Sequence, residues 1–261
     1  MADNIILHDE VGFQKMRAAG KLAASVLDYI TDYVNPGVTT NEINDLCHKM
    51  ILENGAIPAP LNYKGFPKSV CTSINHVVCH GIPSDRKLLD GEIINIDVTV
   101  ILDGWYGDTS RMYFVGKKTP IKAKRLVDAT YTAMMKGIEI VKPGVQLCEI
   151  GRTIQNYIEG FGYSSVREYC GHGIGQVFHT APSVLHYYDK TNDLVLKEGM
   201  FFTVEPMINI GDWKTRLLND EWTVVTKDNS LSAQFEHSIG VTKDGYEIFT
   251  QSSKNFTKPP Y

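Results

Sequence analysis

The sequence predicts an α+β fold in which two similar halves contribute strands to a central antiparallel sheet. Two observations predict it: a helix–Pro-Gly–helix pattern that occurs twice, and apolar strand-like segments in each half that carry acidic residues. The halves are expected to span roughly residues 12–118 and 119–250, related by a pseudo-two-fold axis, within a single domain of residues 1–261.

The helices are predicted from a short repeated motif. The pattern Val-Xaa-Pro-Gly-Val begins at Val34 and again at Val141, and Glu-Ile follows each copy at the same spacing. Each Pro-Gly pair ends one helical pattern and precedes another. Helices are therefore predicted on both sides of each copy, over residues 16–33, 40–54, 121–140 and 146–160.

The strands are predicted from a second repetition. His-Gly-Ile occurs at His80 and at His172, and in each half an acid stands six residues after a glycine, inside an apolar run. These acids are Asp97 and Glu205. The β-branched run of residues 93–101 is typical of a covered strand.

A hairpin is expected to place two acids on one face of the sheet. Asp103-Gly104 is a tight-turn signal, and the return strand of residues 105–115 carries Asp108. With these turn residues Asp97 faces Ser110, and Asp108 becomes a diagonal neighbour about 7–8 Å away unless a bulge brings the two acids closer.

Four acids in apolar strands require compensating charge. Glu236 lies in a further apolar run, and Asp97, Asp108, Glu205 and Glu236 cannot all stay ionised and dry without a partner. Arg111 is a candidate partner for one of them. No strand carries enough Arg or Lys for all four, so divalent cations are favoured.

His172 is the candidate imidazole ligand, within Gly-His-Gly-Ile-Gly. The alternative is a glycine-rich turn with a structural histidine. A phosphate loop is disfavoured because Gln176 occupies the last glycine position of such a loop and no helical pattern follows. Two ions held by these ligands would lie about 3.5–4 Å apart and ionise a shared water, which favours hydrolysis of a peptide or amide bond.

Composition excludes several other classes. The net charge of −4 gives no footprint for nucleic acid, and the basic cluster at residues 117–125 is interpreted as a solvated face rather than a phosphate patch. No apolar run approaches the roughly 20 residues that a membrane helix needs, and residues 1–10 show no secretory signal. Five cysteines without CxxC spacing suit reduced thiols in the cytoplasm. The tail of residues 251–261 is expected to be an extended terminus.

Together these residues resemble a type I methionine aminopeptidase of the bacterial kind. The resemblance rests on Tyr169–Gly175 followed by His179 and Leu185-His186-Tyr187, on the ligand order Asp, Asp, His, Glu, Glu, and on the stretches of residues 75–83 and 230–237. It covers nearly the whole chain and implies the pita-bread fold and removal of the initiator methionine from nascent proteins with a small second residue.

The resemblance also implies a role for each ligand. Asp97 would bind one ion bidentately, Asp108 and Glu236 would bridge, and His172 and Glu205 would bind the second ion. Glu205 would also carry a proton between the bridging water and the leaving amine. The metal could be Co, Mn, Fe or Zn, because the ligand set accepts several.

Outside the metal ligands, the resemblance assigns substrate contacts. His80 and His179 would hydrogen-bond the substrate and the tetrahedral intermediate. The methionine pocket would be formed by apolar and polarisable side chains, namely Tyr63, Phe66, Cys71, Phe178 and Trp222. A monovalent cation would be held at Asn75, Val77 and Ser232.

Departures from the family pattern concern the fine specificity of the pocket. Gln176 stands where many relatives carry Arg, Phe66 and Phe235 where Tyr is common, and Pro60 where a small residue or Cys is frequent. The expected partners are nascent polypeptide N-termini, with ribosome contact left open. The chain is expected to act as a monomer without direct contact to nucleic acid or membrane.

Three other interpretations remain open from the sequence. A proline-specific aminopeptidase or prolidase shares the ligand set but usually adds a large N-terminal domain. A non-enzymatic pita-bread protein typically lacks ligands that are present here. A His-carboxylate oxygenase needs two histidines and one carboxylate, whereas carboxylates outnumber histidines in this set.

Overall fold

The fold is known from a computed structural model that describes residues 5–261, so the start of the N-terminal segment expected to lack a secretory signal lies outside the described residues. The helices are α1 Glu10–Ile30, α2 Thr40–Glu53, α3 Ile121–Glu139 and α4 Cys148–Glu159, with 3-10 turns at Thr31–Tyr33 and Tyr63–Gly65. The strands are β1 Ile57–Pro58, β2 Cys71–Ile74, β3 Val77–Cys79, β4 Ile93–Leu102, β5 Trp105–Phe114, β6 Ser164–Ser165, β7 Gly171–Gly173, β8 Thr180–Val184, β9 Phe201–Val204, β10 Met207–Asn209, β11 Thr215–Leu217, β12 Val224–Thr226, β13 Ser232–Gln234, β14 Glu236–Val241 and β15 Tyr246–Ile248.

The four helices form where the repeated motif predicts them. α1 begins earlier than expected, because the Asp9 carboxylate accepts the backbone N–H of Gly12 and caps the first turn. α2 begins with a capping box, in which Thr39 and Glu42 each accept a backbone N–H of the other. None of the helices within residues 5–261 has the length and apolar character that crossing a membrane requires.

A nine-stranded antiparallel sheet forms the centre of the fold. Its order is β1-β4-β5-β14-β9-β7-β8, with β2 also paired to β4 and β15 to β14. Strands from the N-terminal and C-terminal parts of the chain therefore meet at the β5–β14 pair. Two three-stranded sheets, β13-β10-β6 and β11-β12-β3, accompany it, so not every strand joins the central sheet. The predicted α+β class with a central antiparallel sheet is confirmed.

The β4–β5 hairpin has the predicted geometry. Leu102 faces Trp105, which leaves Asp103 and Gly104 as the turn, and both have left-handed φ angles, 50° and 79°. Two residues with positive φ match the twist of a two-residue hairpin. Asp97 accordingly faces Ser110, as predicted.

The helices pack against one face of the sheet and leave the other face open. Alternate residues of β4 (Ile94, Ile96, Val98 and Val100) join a buried core with residues of α1 and α2, and residues of α3 and α4 form a second core with β9 and β14. Because neighbouring residues of a strand point to opposite faces, the intervening side chains of β4, including Asp97, point away from the helices.

The strand that carries Glu205 is interrupted. β9 ends at Val204 and β10 begins at Met207, so the expectation of one continuous strand-like run through Glu205 is wrong at this point. Pro206 has no N–H to donate to a neighbouring strand, which explains the break. The register nevertheless continues across it, because Val204 faces His237 and Met207 faces Gln234.

Arg111 does not compensate the four acids. It follows Ser110 on β5 and therefore points to the helix-covered face, where its Nη1 lies 2.9 Å from Oδ1 of Asp28 on α1. Both side chains are at most 6% exposed. The prediction of Arg111 as a partner of a strand acid is wrong, because strand alternation places it on the other side of the sheet.

The C-terminal tail covers this buried ion pair. Ser252 Oγ donates to Asp28 Oδ1 at 2.7 Å, and the ring of Tyr261 lies 5.5 Å from the Arg111 guanidinium carbon. The Tyr261 hydroxyl donates to the carbonyl of Met112 at 2.8 Å. The tail is thus held in place by polar contacts to α1 and β5.

Replacing Asp28 with Asn should destabilise the fold by about 3–5 kcal/mol, because the substitution leaves the buried Arg111 charge without its counter-charge. The measurement is urea unfolding of D28N. The matched control is D128N, which breaks an ion pair to Lys258 whose side chains are 54% and 39% exposed and should cost less than about 1 kcal/mol. Equal losses in the two variants would contradict the structural role of the buried pair.

Candidate active site

Two rows of side chains cross the open face of the central sheet. Glu236 and Asp97 both face Ser110, and the continued register places Glu205 opposite Glu236. The first row, on β2, β4, β5, β14 and the segment after β9, consists of Cys71, Asp97, Ser110, Glu236 and Glu205. The second row, on β4, β5, β14, β9 and β7, consists of Thr99, Asp108, Ser238, Thr203 and His172.

The two rows bring all five predicted metal ligands together. Residues two apart on a strand share a face, so the second row lies beside the first. One ligand atom each of Asp108, His172 and Glu236 lie within 4.8 Å of one another. His172 Nε2 is 3.6 Å from Asp108 Oδ2 and 3.6 Å from Glu205 Oε1, which is too long for hydrogen bonds and suits atoms that surround a shared ion.

Hydroxyl and amide groups orient the acids. Thr99 Oγ1 donates to Asp108 Oδ1 at 2.7 Å, and Thr203 Oγ1 donates to Glu205 Oε1 at 2.8 Å. Gln234 Nε2 donates to Glu205 Oε2 at 3.1 Å. The sequence interpretation missed these three residues. Each lies two residues from a predicted ligand in the sequence, which was a usable signal: Thr99 follows Asp97, Thr203 precedes Glu205 and Gln234 precedes Glu236.

The acids fit a cationic occupant. Asp97 Oδ1 is buried and has no hydrogen-bond partner among the described residues. Among the ion pairs of residues 5–261, none joins a lysine or arginine to any of the four acids. An orphaned buried carboxylate oxygen beside three further carboxylates and an imidazole is the donor set of a divalent metal.

Burial and mutual repulsion shift the titration of the whole cluster. Burial raises the pKa of Asp97, Glu205 and Glu236 well above the usual range, and repulsion from Asp108 raises it further. Burial also raises the pKa of Asp108 to about 7, against the hydrogen bond from Thr99. The pKa of His172 falls to about 4 on burial, so its ring is neutral near pH 7 and has a lone pair for a metal.

A cavity of about 390 Å³ lies above the two rows. Its floor contains the five candidate ligands, and its walls contain both predicted substrate-contacting histidines and all five residues of the predicted methionine pocket. These wall residues are His80, His179, Tyr63, Phe66, Cys71, Phe178 and Trp222. The rings of Phe66 and Trp222 meet edge to face with centroids 5.1 Å apart, and Cys71 faces Asp97 across the β2–β4 pair.

The two histidines on the wall differ in their surroundings. His179 Nδ1 lies 3.1 Å from the Tyr63 hydroxyl, and burial lowers its pKa to about 3, with further lowering from the nearby His172, His80 and Lys64. His80 has a left-handed φ of 55° and follows β3 rather than lying in a strand, so the two His-Gly-Ile copies differ locally. Burial lowers the pKa of His80 as well.

The residues expected to hold a monovalent cation lie together but outside this cavity. The backbone N–H of Ser232 donates to the carbonyl of Asn75 at 2.8 Å. Val77, on β3, pairs with Val225 of β12. The Ser232 hydroxyl is buried without a hydrogen-bond partner among the described residues.

A protein-family model matches most of the sequence of this chain. The model of metallopeptidase family M24 matches residues 14–243, a range that contains every candidate ligand. The chain belongs to metallopeptidase family M24. Membership implies use of a divalent metal, which agrees with the donor set on the floor of the cavity.

Close relatives within family M24 are named methionine aminopeptidases. One, from Rickettsia prowazekii, is 67% identical over 258 residues, which cover 98% of this chain and 99% of the relative. Another, from Escherichia coli strain K12, is 56% identical over 239 residues, 91% of this chain and 90% of the relative. The resemblance stated from the sequence motifs is confirmed.

Solved structures of M24 proteins confirm the pita-bread fold. The crystal structure of the Rickettsia prowazekii methionine aminopeptidase has a TM-score of 0.93 at 68% identity and covers 94% of this chain and 99% of its own. The prolidase from Pyrococcus horikoshii has a TM-score of 0.74 at 22% identity and covers 95% of this chain but only 64% of its own. The prolidase thus shares the fold, and part of its own chain lies outside the match.

In the absence of metal, the Asp108→Asn variant should become more stable than the wild type as the pH rises. Asp108 has a folded-state pKa of about 7, above its usual 3.8, so the wild type loses stability between these values at roughly 1.4 kcal/mol per pH unit. Asn has no proton to lose and still accepts the Thr99 hydrogen bond. The measurement is thermal unfolding of both proteins in chelator at pH 4.5, 6 and 7.5.

The paired comparison cancels the titration of groups outside the cluster. The other three acids contribute in the same direction, because the loss of the Asp108 charge removes a repulsion that raises the pKa of each. D108N should match the wild type at the lowest pH and exceed it at the highest. With divalent metal added, the order should reverse, because only the wild type retains the ligand. A difference between the two proteins that does not change with pH would contradict the buried, uncompensated state of Asp108.

Proposed function

We propose that the chain is a methionine aminopeptidase that removes the N-terminal methionine of polypeptides whose second residue is small, such as the initiator methionine of nascent proteins. The observation that carries the proposal is the convergence of four carboxylates and one neutral imidazole on the floor of a cavity with aromatic walls. The names of relatives at 67% and 56% identity support the same activity.

The five ligands are proposed to hold two divalent ions per chain. Asp97 would bind one ion, His172 and Glu205 the other, and Asp108 and Glu236 would bridge, because Asp108 and Glu236 lie between the outer ligands in the two rows. When bound, such ions acidify water and polarise the carbonyl of the scissile peptide bond. All remaining functions belong to side chains of the protein.

Glu205 is proposed to move the proton during the reaction. Its carboxylate is fixed by Thr203 and Gln234, and burial beside the other acids raises its pKa. A carboxylate with raised proton affinity accepts a proton from the attacking water and returns it to the departing amine. The hydrogen bonds hold the two oxygens in the orientation that this transfer needs.

His179 is proposed to donate a hydrogen bond to the substrate carbonyl. Its ring is neutral near pH 7, and with the Tyr63 hydroxyl donating to Nδ1 the ring proton resides on Nε2. An N–H aimed into a cavity stabilises the oxygen of the tetrahedral intermediate. His80, also neutral and on the cavity wall, is proposed to contact the substrate backbone.

The aromatic wall is proposed to bind the methionine side chain. Tyr63, Phe66, Phe178 and Trp222 offer ring surfaces, and Cys71 adds a thiol whose pKa is raised by burial, so it stays uncharged. Thioethers pack favourably against aromatic rings, at about 0.3–1.5 kcal/mol per contact. Methionine is therefore preferred over side chains of similar length that carry charge.

Several further features belong to the proposal. Residues 1–261 are proposed to act as one catalytic domain, since acids from both parts of the chain share one sheet face. The backbone at Asn75, Val77 and Ser232 is proposed as a monovalent cation site. Cytoplasmic action on nascent chains is supported by the five free cysteines.

Protein purified without added ions, stripped by chelator and reloaded with Mn, Co or Fe should release methionine from Met-Ala-Ser and leave Ala-Pro-Met intact. The aromatic wall selects the first residue, and the metals activate the water. The measurement is free methionine by chromatography, alongside metal content per chain. Cleavage of X-Pro peptides alone would favour a proline-specific enzyme, and no turnover with any metal would favour a binding protein.

Replacing His179 with Ala should lower kcat about 10²–10³-fold, the usual cost of losing one donor to a developing oxyanion, while metal content stays unchanged. Tyr63→Phe should have a smaller effect, because it only frees the ring proton to change nitrogen. His48→Ala is the matched control: His48 lies on α2 and contacts Ser69, outside the cavity. Unchanged kcat in the His179 variant would contradict its assigned role.

A further inference from the structure

His186 is a buried histidine that the proposed reaction does not use. It belongs to the Leu185-His186-Tyr187 stretch of the family signature, is 1% exposed, and does not line the cavity. Its Nε2 lies 3.0 Å from the backbone nitrogen of Glu205, which donates to it. His186 therefore contacts the backbone of a candidate metal ligand from outside the cavity.

The Glu205 backbone needs such an acceptor because the strand is broken there. Val204 ends β9, Pro206 contributes no N–H, and β10 begins only at Met207. A buried N–H without an acceptor would cost about 1–3 kcal/mol. His186 supplies the acceptor at the one position of this segment whose side chain enters the cluster of acids.

We propose that His186 is the positioning residue of Glu205: by accepting the Glu205 N–H it fixes the backbone from which the carboxylate reaches His172 and Gln234. The inference rests on the proposed function, in which Glu205 is a ligand and the proton carrier. Thr203 and Gln234 hold the carboxylate end of the side chain, and His186 holds the backbone end. The residue is thereby fixed at both ends.

The cost of burying His186 supports a specific role. An Nε2 that accepts requires the ring proton to be on Nδ1, and Nδ1 is buried without a hydrogen-bond partner among the described residues. Burial also lowers the pKa of His186 to about 3, so the ring is neutral. An apolar residue would avoid the unpaired N–H but could not accept from Glu205.

Helix α4 holds the segment that carries His186. The backbone N–H of Tyr188 donates to Gln155 Oε1 at 2.7 Å, and the guanidinium carbon of Arg152 lies 4.0 Å from the centre of the Tyr188 ring. Gly151 faces the carbonyls of Leu185 and Tyr187, where any larger residue would collide with the backbone. The position of Glu205 is thus set from the outer helix layer through His186.

The first measurement needs no variant. Long-range ¹H–¹⁵N NMR on the metal-free wild-type protein reports which ring nitrogen of His186 carries the proton. The proposal requires the Nδ1–H tautomer, and it also requires slow hydrogen exchange of the Glu205 amide. An Nε2–H tautomer, or an unprotected Glu205 amide, would overturn the proposal.

The second measurement uses His186→Leu, which removes the acceptor, and His186→Gln, whose amide oxygen reaches about as far as Nε2. His186→Leu should bind Mn²⁺ at least about 10-fold more weakly by calorimetric titration, the usual cost of losing a group that orients a ligand, and should lower kcat more than it changes KM. His186→Gln should stay within about 3-fold of the wild type. His48→Leu controls for loss of an imidazole elsewhere.

The outcomes separate positioning from a merely structural role. If His186→Leu unfolds at lower temperature yet binds Mn²⁺ as tightly as the wild type, the proposal is wrong. If His186→Leu does not fold, His186→Asn is compared with His186→Gln instead. The Asn side chain is too short to reach the Glu205 N–H, so the His186→Asn protein should bind Mn²⁺ more weakly than the His186→Gln protein. Equal affinities of the two variants would refute the proposal. Absence of Mn²⁺ binding by the wild type would instead refute the proposed function. The NMR measurement of the His186 tautomer would then still test whether His186 accepts the Glu205 N–H.

Discussion

Burial of four carboxylates on one face of a sheet is the constraint on which the rest of the structure depends. Neighbouring strands lie about 5 Å apart, so acids on adjacent or alternate strands feel each other strongly where water is scarce. Small side chains separate some of these acids: Ser110 lies between Asp97 and Glu236 in one row, and Ser238 lies beside Asp108 in the next. Glu205 and Glu236, in contrast, lie opposite each other. The spacing keeps ligand atoms of Asp108, His172 and Glu236 within 4.8 Å of one another, which suits a shared ion.

The helix-covered face of the same strands contains a buried charge that the protein neutralises with its own side chains. Arg111 is buried there beside the Asp28 carboxylate of α1 and the Tyr261 ring of the C-terminal tail, and Ser252 of the tail donates a hydrogen bond to Asp28. No comparable provision exists for the four acids within the described residues. The contrast indicates that the negative charge on the open face is retained for an external cation and is not a defect of packing.

Much of the candidate site could be predicted because local patterns dictated it. The turn at Asp103-Gly104 fixed the pairing of β4 with β5, and therefore the facing of Asp97 and Ser110, without any long-range information. The β5–β14 pair could not be predicted in this way, because it joins segments more than 100 residues apart in the chain. The need to neutralise four strand acids already grouped Glu236 and His172 with Asp97, Asp108 and Glu205, and the family resemblance added an expected role for each ligand.

The errors have equally local causes. Arg111 was assigned to the wrong face although the alternation that aligned Asp97 with Asp108 already placed it on the other side. The early start of α1 depended on Asp9, whose capping role precedes the apolar periodicity by several residues. His186 carried no periodic signal, because its role arises from a strand break at Pro206 that only the folded sheet reveals.

The separation between floor and walls explains how one fold serves several peptidases. The ligand rows belong to the central sheet, whereas Tyr63, Phe178 and Trp222 lie outside the strands of that sheet, on connecting segments that tolerate change. Prolidases retain this fold at a TM-score of 0.74 with only 22% identity, so the fold itself does not select the substrate. Under the proposed function, selection of methionine depends on the walls, and a change of specificity requires new wall residues while the acids of the sheet stay as they are.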